Sequence, residues 1–148
     1  MSANHPSVTA LMLGGTIAML PDASGGVAPA LSGEALLAVV PEARDVADLS
    51  VLQVANLPSM QLGLPQLIEV VRQIDAAAEG GADGVVVVQG TDTLEESAVA
   101  LDHLVKRDLP VVLTAAMRSP KTPGADGPAN LLAAIRVAAL GQPWGRGA

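Results

Sequence analysis

The chain has no cysteine, no phenylalanine and no tyrosine, and a single tryptophan, Trp144, among its 148 residues. Without cysteine there is neither a disulfide framework nor a thiolate metal site. Without aromatic bulk, a core has to be assembled from Leu, Val, Ile, Met and Ala. Positive charge is scarce too: eight Lys and Arg stand against fifteen Asp and Glu, for a formal net charge of −7, and lysine occurs only at Lys106 and Lys121. That balance argues against nucleic acid as a partner, because phosphates call for basic patches. Long apolar runs are also missing. The stretch from Val8 to Leu20 is interrupted by Gly14-Gly15-Thr16, and nothing approaches the roughly 20 residues that a membrane span needs. Met1 to Ser7 carries no Lys or Arg and does not read as a signal peptide. The expectation is a soluble cytoplasmic protein with no membrane partner, of one domain's length.

What is present alternates between strand and helix patterns. Val8 to Leu13 reads as a buried strand and Leu20 to Leu31 as a loop rich in Pro, Gly, Ala and Ser. Ser32 fits the N-cap of a short helix carrying Leu36, Leu37 and Val40, which Pro41 closes. Leu49 to Val54 returns to a strand. Pro65 then opens a helix with Leu67, Ile68, Val71, Ile74 and Ala78 on one face, stopped by Gly80-Gly81. Gly84 to Gln89 is a β-branched run of the kind buried on both faces. Thr93-Leu94-Glu95-Glu96 has the spacing of a capping box, ahead of a helix with Ala98, Leu101, Leu104 and Val105 inward. Pro110 to Ala116 predicts a fourth strand, Met117 to Gly127 a loop, and Pro128 the start of a helix that Gly141 ends. This order specifies an α/β, flavodoxin-like fold, a mostly parallel sheet with helices on both faces.

Two threonine motifs follow strand-like runs directly, and the crevice beyond the carboxyl ends of parallel strands is where ligands bind. In Gly14-Gly15-Thr16 the glycines permit a tight turn and close approach of backbone N–H groups. A hydroxyl there can attack a carbonyl, with N–H groups stabilising the oxyanion; an ordinary glycine turn explains the same residues. In Gly90-Thr91-Asp92-Thr93 a carboxylate sits beside a hydroxyl at a helix N-terminus, where the dipole favours anions. Asp92 and Thr93 as simple helix caps is the competing explanation, and capping does not exclude chemistry. His5 and His103 have no metal-ligand company in sequence, so no metal and no cofactor is expected. Arg118 fits either an anion contact or the closure of a strand-to-loop corner.

Taken together, four stretches in order resemble the bacterial-type L-asparaginase/glutaminase family. They are Gly14-Gly15-Thr16-Ile17-Ala18, Gly90-Thr91-Asp92-Thr93-Leu94-Glu95-Glu96, Ala116-Met117-Arg118, and Ala125-Asp126-Gly127-Pro128-Ala129-Asn130-Leu131. The resemblance implies that Thr16 is the primary nucleophile of a covalent acyl-enzyme, and that Thr91 and Asp92 work with a lysine as a hydrogen-bonded triad. It implies that Ser59 binds the α-carboxylate end of the substrate, that Asp92 engages the α-amino group, and that the Ala116 carbonyl accepts from the side-chain amide.

The chain departs from the family pattern at several points. Met60 stands where many members place glutamine directly after the binding serine, with Gln61 one position later, so the choice between L-asparagine and L-glutamine stays open. The tyrosine that members often carry in the loop after Thr16 has no counterpart in this chain. The family's lysine would fall beyond Ala148. Residues 1–148 are therefore expected to form an incomplete N-terminal domain, without the C-terminal domain that completes a neighbour's site in the family's homo-oligomer. Two readings follow: an amidohydrolase acting on a small-molecule substrate, or a truncated, non-catalytic remnant or interaction module. A nucleotide-binding module is disfavoured, since neither G-x-G-x-x-G nor a Walker A pattern occurs.

Overall fold

Five consecutive residues, Gly84–Val88, lie fully inside the protein, and their neighbours follow from that. The computed structural model describes residues 5–15, 19–21, 27–29, 35, 38, 40–120 and 122–141. Its main sheet has four strands: β1 (Ser7–Met12), β4 (Asp48–Gln53), β5 (Gly84–Val88) and β6 (Val111–Thr114), in the order β4-β1-β5-β6. Every pairing is parallel, with Val8 opposite both Leu49 and Gly84, and Val85 opposite Val111. Parallel neighbours need crossovers, which α1 (Leu64–Glu79), α2 (Leu94–Leu104) and a 3-10 turn at Pro41–Asp45 supply, while α3 (Gly127–Ala138) follows β6.

The two central strands divide their side chains between two layers. Val8, Ala10 and Met12 of β1 and Val86 and Val88 of β5 pack with Ala43, Leu131, Ala134, Ile135 and Ala138, which is the α3 side. Leu11 and Leu13, with Val85 and Val87, pack against Val70 and Ile74 of α1 and Leu101 of α2. Residue by residue, the chain alternates faces, as the strand period of two requires. All four valines are completely buried. At about 1.5–3 kcal/mol each for full burial, they contribute on the order of 10 kcal/mol, an upper figure that already matches the net stability of an ordinary domain. β5 is the element this fold can least lose.

An aliphatic core lets backbones come close. A Cβ on Gly84 would lie 2.2 Å from the Ala138 carbonyl oxygen, so the start of β5 and the end of α3 meet main chain to main chain. At the far end of α1, Arg107 donates to Asp75 and Glu79, both at 2.6 Å, and ties the loop after α2 to α1.

Local expectations hold for the main strands, for the proline that opens α1, and for the glycine stops. Gly81 and Gly141 have φ of 86° and 63°. Others need correcting. Within the stretch that reads as a loop lies a short antiparallel hairpin, β2 (Met19–Pro21) with β3 (Val27–Pro29). Pro41 opens a 3-10 turn rather than merely closing a helix, since its fixed φ suits a first helical position. The helix expected after Ser32 lies mostly outside the described residues. The inward stripe of α1 is Leu67, Val70 and Ile74, leaving Ile68, one position round the helix, 39% exposed. In α2 the buried positions are Ser97 and Leu101; Leu104 sits in the final turn and is partly exposed.

Candidate active site

Four loops leave the carboxyl ends of the four strands, and the hydrogen-bond ladder continues into them. Leu13 N donates to Val88 O at 2.8 Å, Leu57 N to Leu13 O at 2.9 Å, and Gln89 N to Thr114 O at 3.1 Å. The loops then touch without side chains between them. Gly14 and Gly15 have φ of 109° and 90°, a region that L side chains rarely adopt. A Cβ on Gly15 would lie 2.3 Å from Gly90 N, and one on Gly90 only 2.6 Å from the Ser59 hydroxyl. Glycine at these positions lets the loops after β1, β4 and β5 close on one point.

Ser59 and Asp92, 33 positions apart in sequence, meet at that point. The buried Ser59 Oγ accepts from Asp92 N at 3.0 Å and donates to Asp92 Oδ2 at 3.1 Å. Its proton is turned toward the carboxylate, so capture of a second carboxylate at Ser59 requires the hydroxyl to rotate. The Thr93 hydroxyl does not close the expected capping box. It donates instead to the Ser59 carbonyl at 2.9 Å, across 34 positions, and α2 starts without a side-chain cap. The Ser59 carbonyl already accepts from Leu62 N at 2.9 Å, and the Thr93 hydroxyl fills its second acceptor position rather than capping its own helix. Asp92 is exposed, just ahead of the N-terminus of α2, where the helix dipole favours its charge. Met60, beside Ser59, is 72% exposed.

Next to Asp92 opens a shallow cleft of ≈ 290 Å³, whose lining includes Thr91, Leu94, Thr114, Ala116, Asp126 and Asn130. Its floor is the corner after β6. Asp126 accepts from Met117 N through Oδ2 and from Arg118 N through Oδ1, each at 3.0 Å. The backbone N–H of Met117, and then that of Arg118, holds the Asp126 carboxyl below its usual range. With the folded value below the unfolded one, this contact supports the fold at neutral pH and loses its contribution as pH falls through the folded value. Asn130 Nδ2 donates to Ala115 O at 3.0 Å, and Arg118 Nη1 to Gly124 O at 3.2 Å, so the arginine closes the loop corner. The Asp126/Asn130 pairing has a sequence signal: an i, i+4 spacing at a helix start places both side chains on one face.

The family model described as asparaginase, N-terminal, matches residues 7–148. This chain belongs to the asparaginase family. It is 37% identical over 147 residues to L-asparaginase 2 of Bacillus subtilis, covering 96% of this chain and 39% of that relative. Against the probable periplasmic L-asparaginase of Haemophilus influenzae it is 38% identical over 149 residues, covering 99% of this chain and 42% of the relative. The solved structure of a probable cytoplasmic L-asparaginase from Campylobacter jejuni superposes with a TM-score of 0.82 at 36% identity, covering 90% of this chain and 40% of that one. The chain thus spans well under half the length of these relatives.

Within the asparaginase fold the sequence-derived site residues sort clearly. Ser59, Thr91, Asp92 and Ala116 gather at the strand edge, whereas the Met60 side chain turns to solvent. Thr16, Lys121 and Trp144 lie outside the described residues. Lys106 donates to the His103 carbonyl at 2.6 Å beyond the C-terminal end of α2, the end away from the site. Among the described residues no three acidic or histidine side chains form a metal group, and no helix is long and apolar enough to cross a membrane.

Gln89 is a site neighbour that sequence reasoning passed over. It is completely buried, its Nε2 reaches only Gly90 O at 3.4 Å, and its Oε1 has no partner. An unsatisfied buried oxygen is a cost that an apolar side chain of similar shape removes. Gln89→Met is expected to leave stability unchanged or to raise it by up to about 1 kcal/mol. A denaturant titration showing a loss beyond about 2 kcal/mol would mean that this oxygen is satisfied in solution.

Proposed function

We propose that this chain carries the nucleophile-bearing site of an L-asparaginase-type amidohydrolase, converting L-asparagine to L-aspartate and ammonia. The observation that supports it most is the Ser59–Asp92 pair set beside Thr91 and the Ala116 cleft, where Gly15, Gly90, Ala116 and Asp126 bring described residues of each of the four family motifs to one strand edge. In this reading Thr16 Oγ1 attacks the carboxamide carbon, the C–N bond breaks, and the nitrogen leaves as ammonia after gaining a proton. Water then hydrolyses the threonine ester to release L-aspartate. Asp92 binds the α-amino group, Ser59 the α-carboxylate, and Thr91 with Asp92 handles the proton. L-Glutamine is the second candidate substrate, with exposed Met60 at the position bearing on the choice. No cofactor or metal enters these steps. The reading carries with it a cytoplasmic location and a homo-oligomer in the full-length form.

One observation favours the non-catalytic reading: among the described residues no lysine approaches Thr91 and Asp92, since Lys106 is bound at the other end of α2. Ammonia release from L-asparagine separates the two. The unaltered chain is expected to release ammonia, and Thr16→Ala to lower the rate at least about 1000-fold. An unchanged rate in Thr16→Ala would remove the nucleophile assignment. No release from the folded, unaltered chain would favour the remnant or interaction module.

A further inference from the structure

The first turn of α3 grips both peptide groups that flank Ala116. Asn130 Nδ2 holds the Ala115 carbonyl at 3.0 Å, and Asp126 Oδ2 holds the Met117 N–H at 3.0 Å. There is no cis peptide bond here. In a trans peptide plane the C=O and N–H point in opposite directions. Holding the Met117 N–H therefore turns the Ala116 carbonyl away from Asp126, and holding the Ala115 carbonyl fixes the direction of the Ala116 N–H. A second bond, from Arg118 N to Asp126 Oδ1, prevents the carboxylate from swivelling. Asn130 Nδ2 also lies 3.4 Å from Asp126 Oδ2, so the two gripping side chains brace each other.

The residue so held is unusual. Ala116 lines the cleft and is only 2% exposed, and among the described residues no group donates to its carbonyl. Backbone carbonyls buried this deeply are nearly always paired. A rigidly aimed, unpartnered acceptor at the wall of a cleft suits a ligand that brings its own N–H.

We propose that Asp126 and Asn130 are positioning residues that aim the Ala116 carbonyl at the N–H of a bound carboxamide. The proposal rests on the amidohydrolase reading and adds to it the residues that set the acceptor's direction. A simple staple between α3 and the β6 corner would make the same hydrogen bonds, so stability alone does not separate the two ideas. The substrate does. L-Asparagine has amide N–H groups to give, whereas the β-methyl ester of L-aspartate has the same backbone and a similar reacting carbonyl but no N–H at the leaving atom.

The test is kcat/KM of the full chain on both substrates, for the unaltered protein, Asp126→Asn and Asn130→Ala. Misplacing a contact by about 1 Å costs on the order of 100-fold, and that loss is expected on L-asparagine in both variants. On the ester the loss should be under about a tenth of that, because no N–H waits for the carbonyl. Equal losses on amide and ester would overturn the positioning role and leave a structural staple. Should Asp126→Asn fail to fold, Asn130→Ala carries the comparison, since it removes the bond to the Ala115 carbonyl and the brace on Asp126 but leaves both backbone N–H bonds to Asp126 in place. Turnover of neither substrate by the unaltered chain would sink the amidohydrolase reading and this proposal with it, whereas normal wild-type turnover with equal losses sinks the proposal alone.

Discussion

Gly15→Ala is expected to cost roughly 2–6 kcal/mol of folding stability, the sum of backbone strain and overpacking against a neighbouring main chain. Both components can be read at this residue. Its φ of 90° lies in a region that L side chains rarely adopt, and an added Cβ would lie 2.3 Å from Gly90 N and 2.5 Å from Gly90 Cα. Backbone atoms at the end of a central strand cannot step aside as the tip of a flexible side chain can. Gly81→Ala isolates the strain, since its φ is 86° but nothing lies within 4 Å of the added carbon; it should lose only about 1–2 kcal/mol. Urea titrations of the two variants side by side measure the difference. If Gly15→Ala were no worse than Gly81→Ala, the loops after β1 and β5 would not be in contact as described. For a domain with a net stability of about 5–15 kcal/mol, the expected loss is a sizeable share, and it falls on the junction where the site loops meet.

Ser59→Ala should act mainly on activity, with a moderate cost to the fold. The substitution removes the acceptor of the Asp92 N–H and the donor to Asp92 Oδ2, but leaves the Ser59 carbonyl that Thr93 holds. The unpaired N–H costs about 1–3 kcal/mol; the carboxylate is exposed, and water takes the serine's place. Asp92 then loses the contact that fixes its rotamer, and freedom of about 1 Å at a substrate-binding carboxylate is worth on the order of 100-fold in kcat/KM. Threonine is a poor rescue, since the packed surroundings that leave Ser59 1% exposed have no place for a further methyl. Ammonia release from L-asparagine measures the effect, and a kcat/KM within about twofold of the unaltered chain would show that Asp92 needs no serine to hold it. The result bears on the amidohydrolase reading as well as on this pair.

What could be read from the residues, and what could not, divides by the range of the interaction responsible. β5 is legible because four consecutive valines leave few alternatives, and α1 because a proline near its start and glycines at its end act within a turn. The hairpin of β2 and β3 is not, since three-residue strands ending in proline show no alternation. Thr93 has the spacing of a cap, yet its hydroxyl answers to a carbonyl 34 positions away that no local rule includes. The site divides in the same way. Its motifs stand in the sequence in order, and Ser59, Thr91, Asp92 and Ala116 do meet at one edge. The grip of Asp126 and Asn130 on the β6 corner lies within a recognisable motif, but its meaning depends on which peptide groups the first turn of α3 reaches.

The division of β5 between two layers has a practical consequence for spectroscopy. With a single tryptophan and no tyrosine or phenylalanine, the chain offers optical methods one ring, outside the described residues. Its interior is instead dense with methyl groups, and β5 places them where they report separately. Val86 and Val88 look onto α3, and Val85 and Val87 onto α1 and α2. Methyl resonances from one short strand can thus follow the two halves of the interior independently. Detachment of α3 would disturb one pair of valines and leave the other in place, so a single labelled amino acid tells whether the two layers come apart together or in turn.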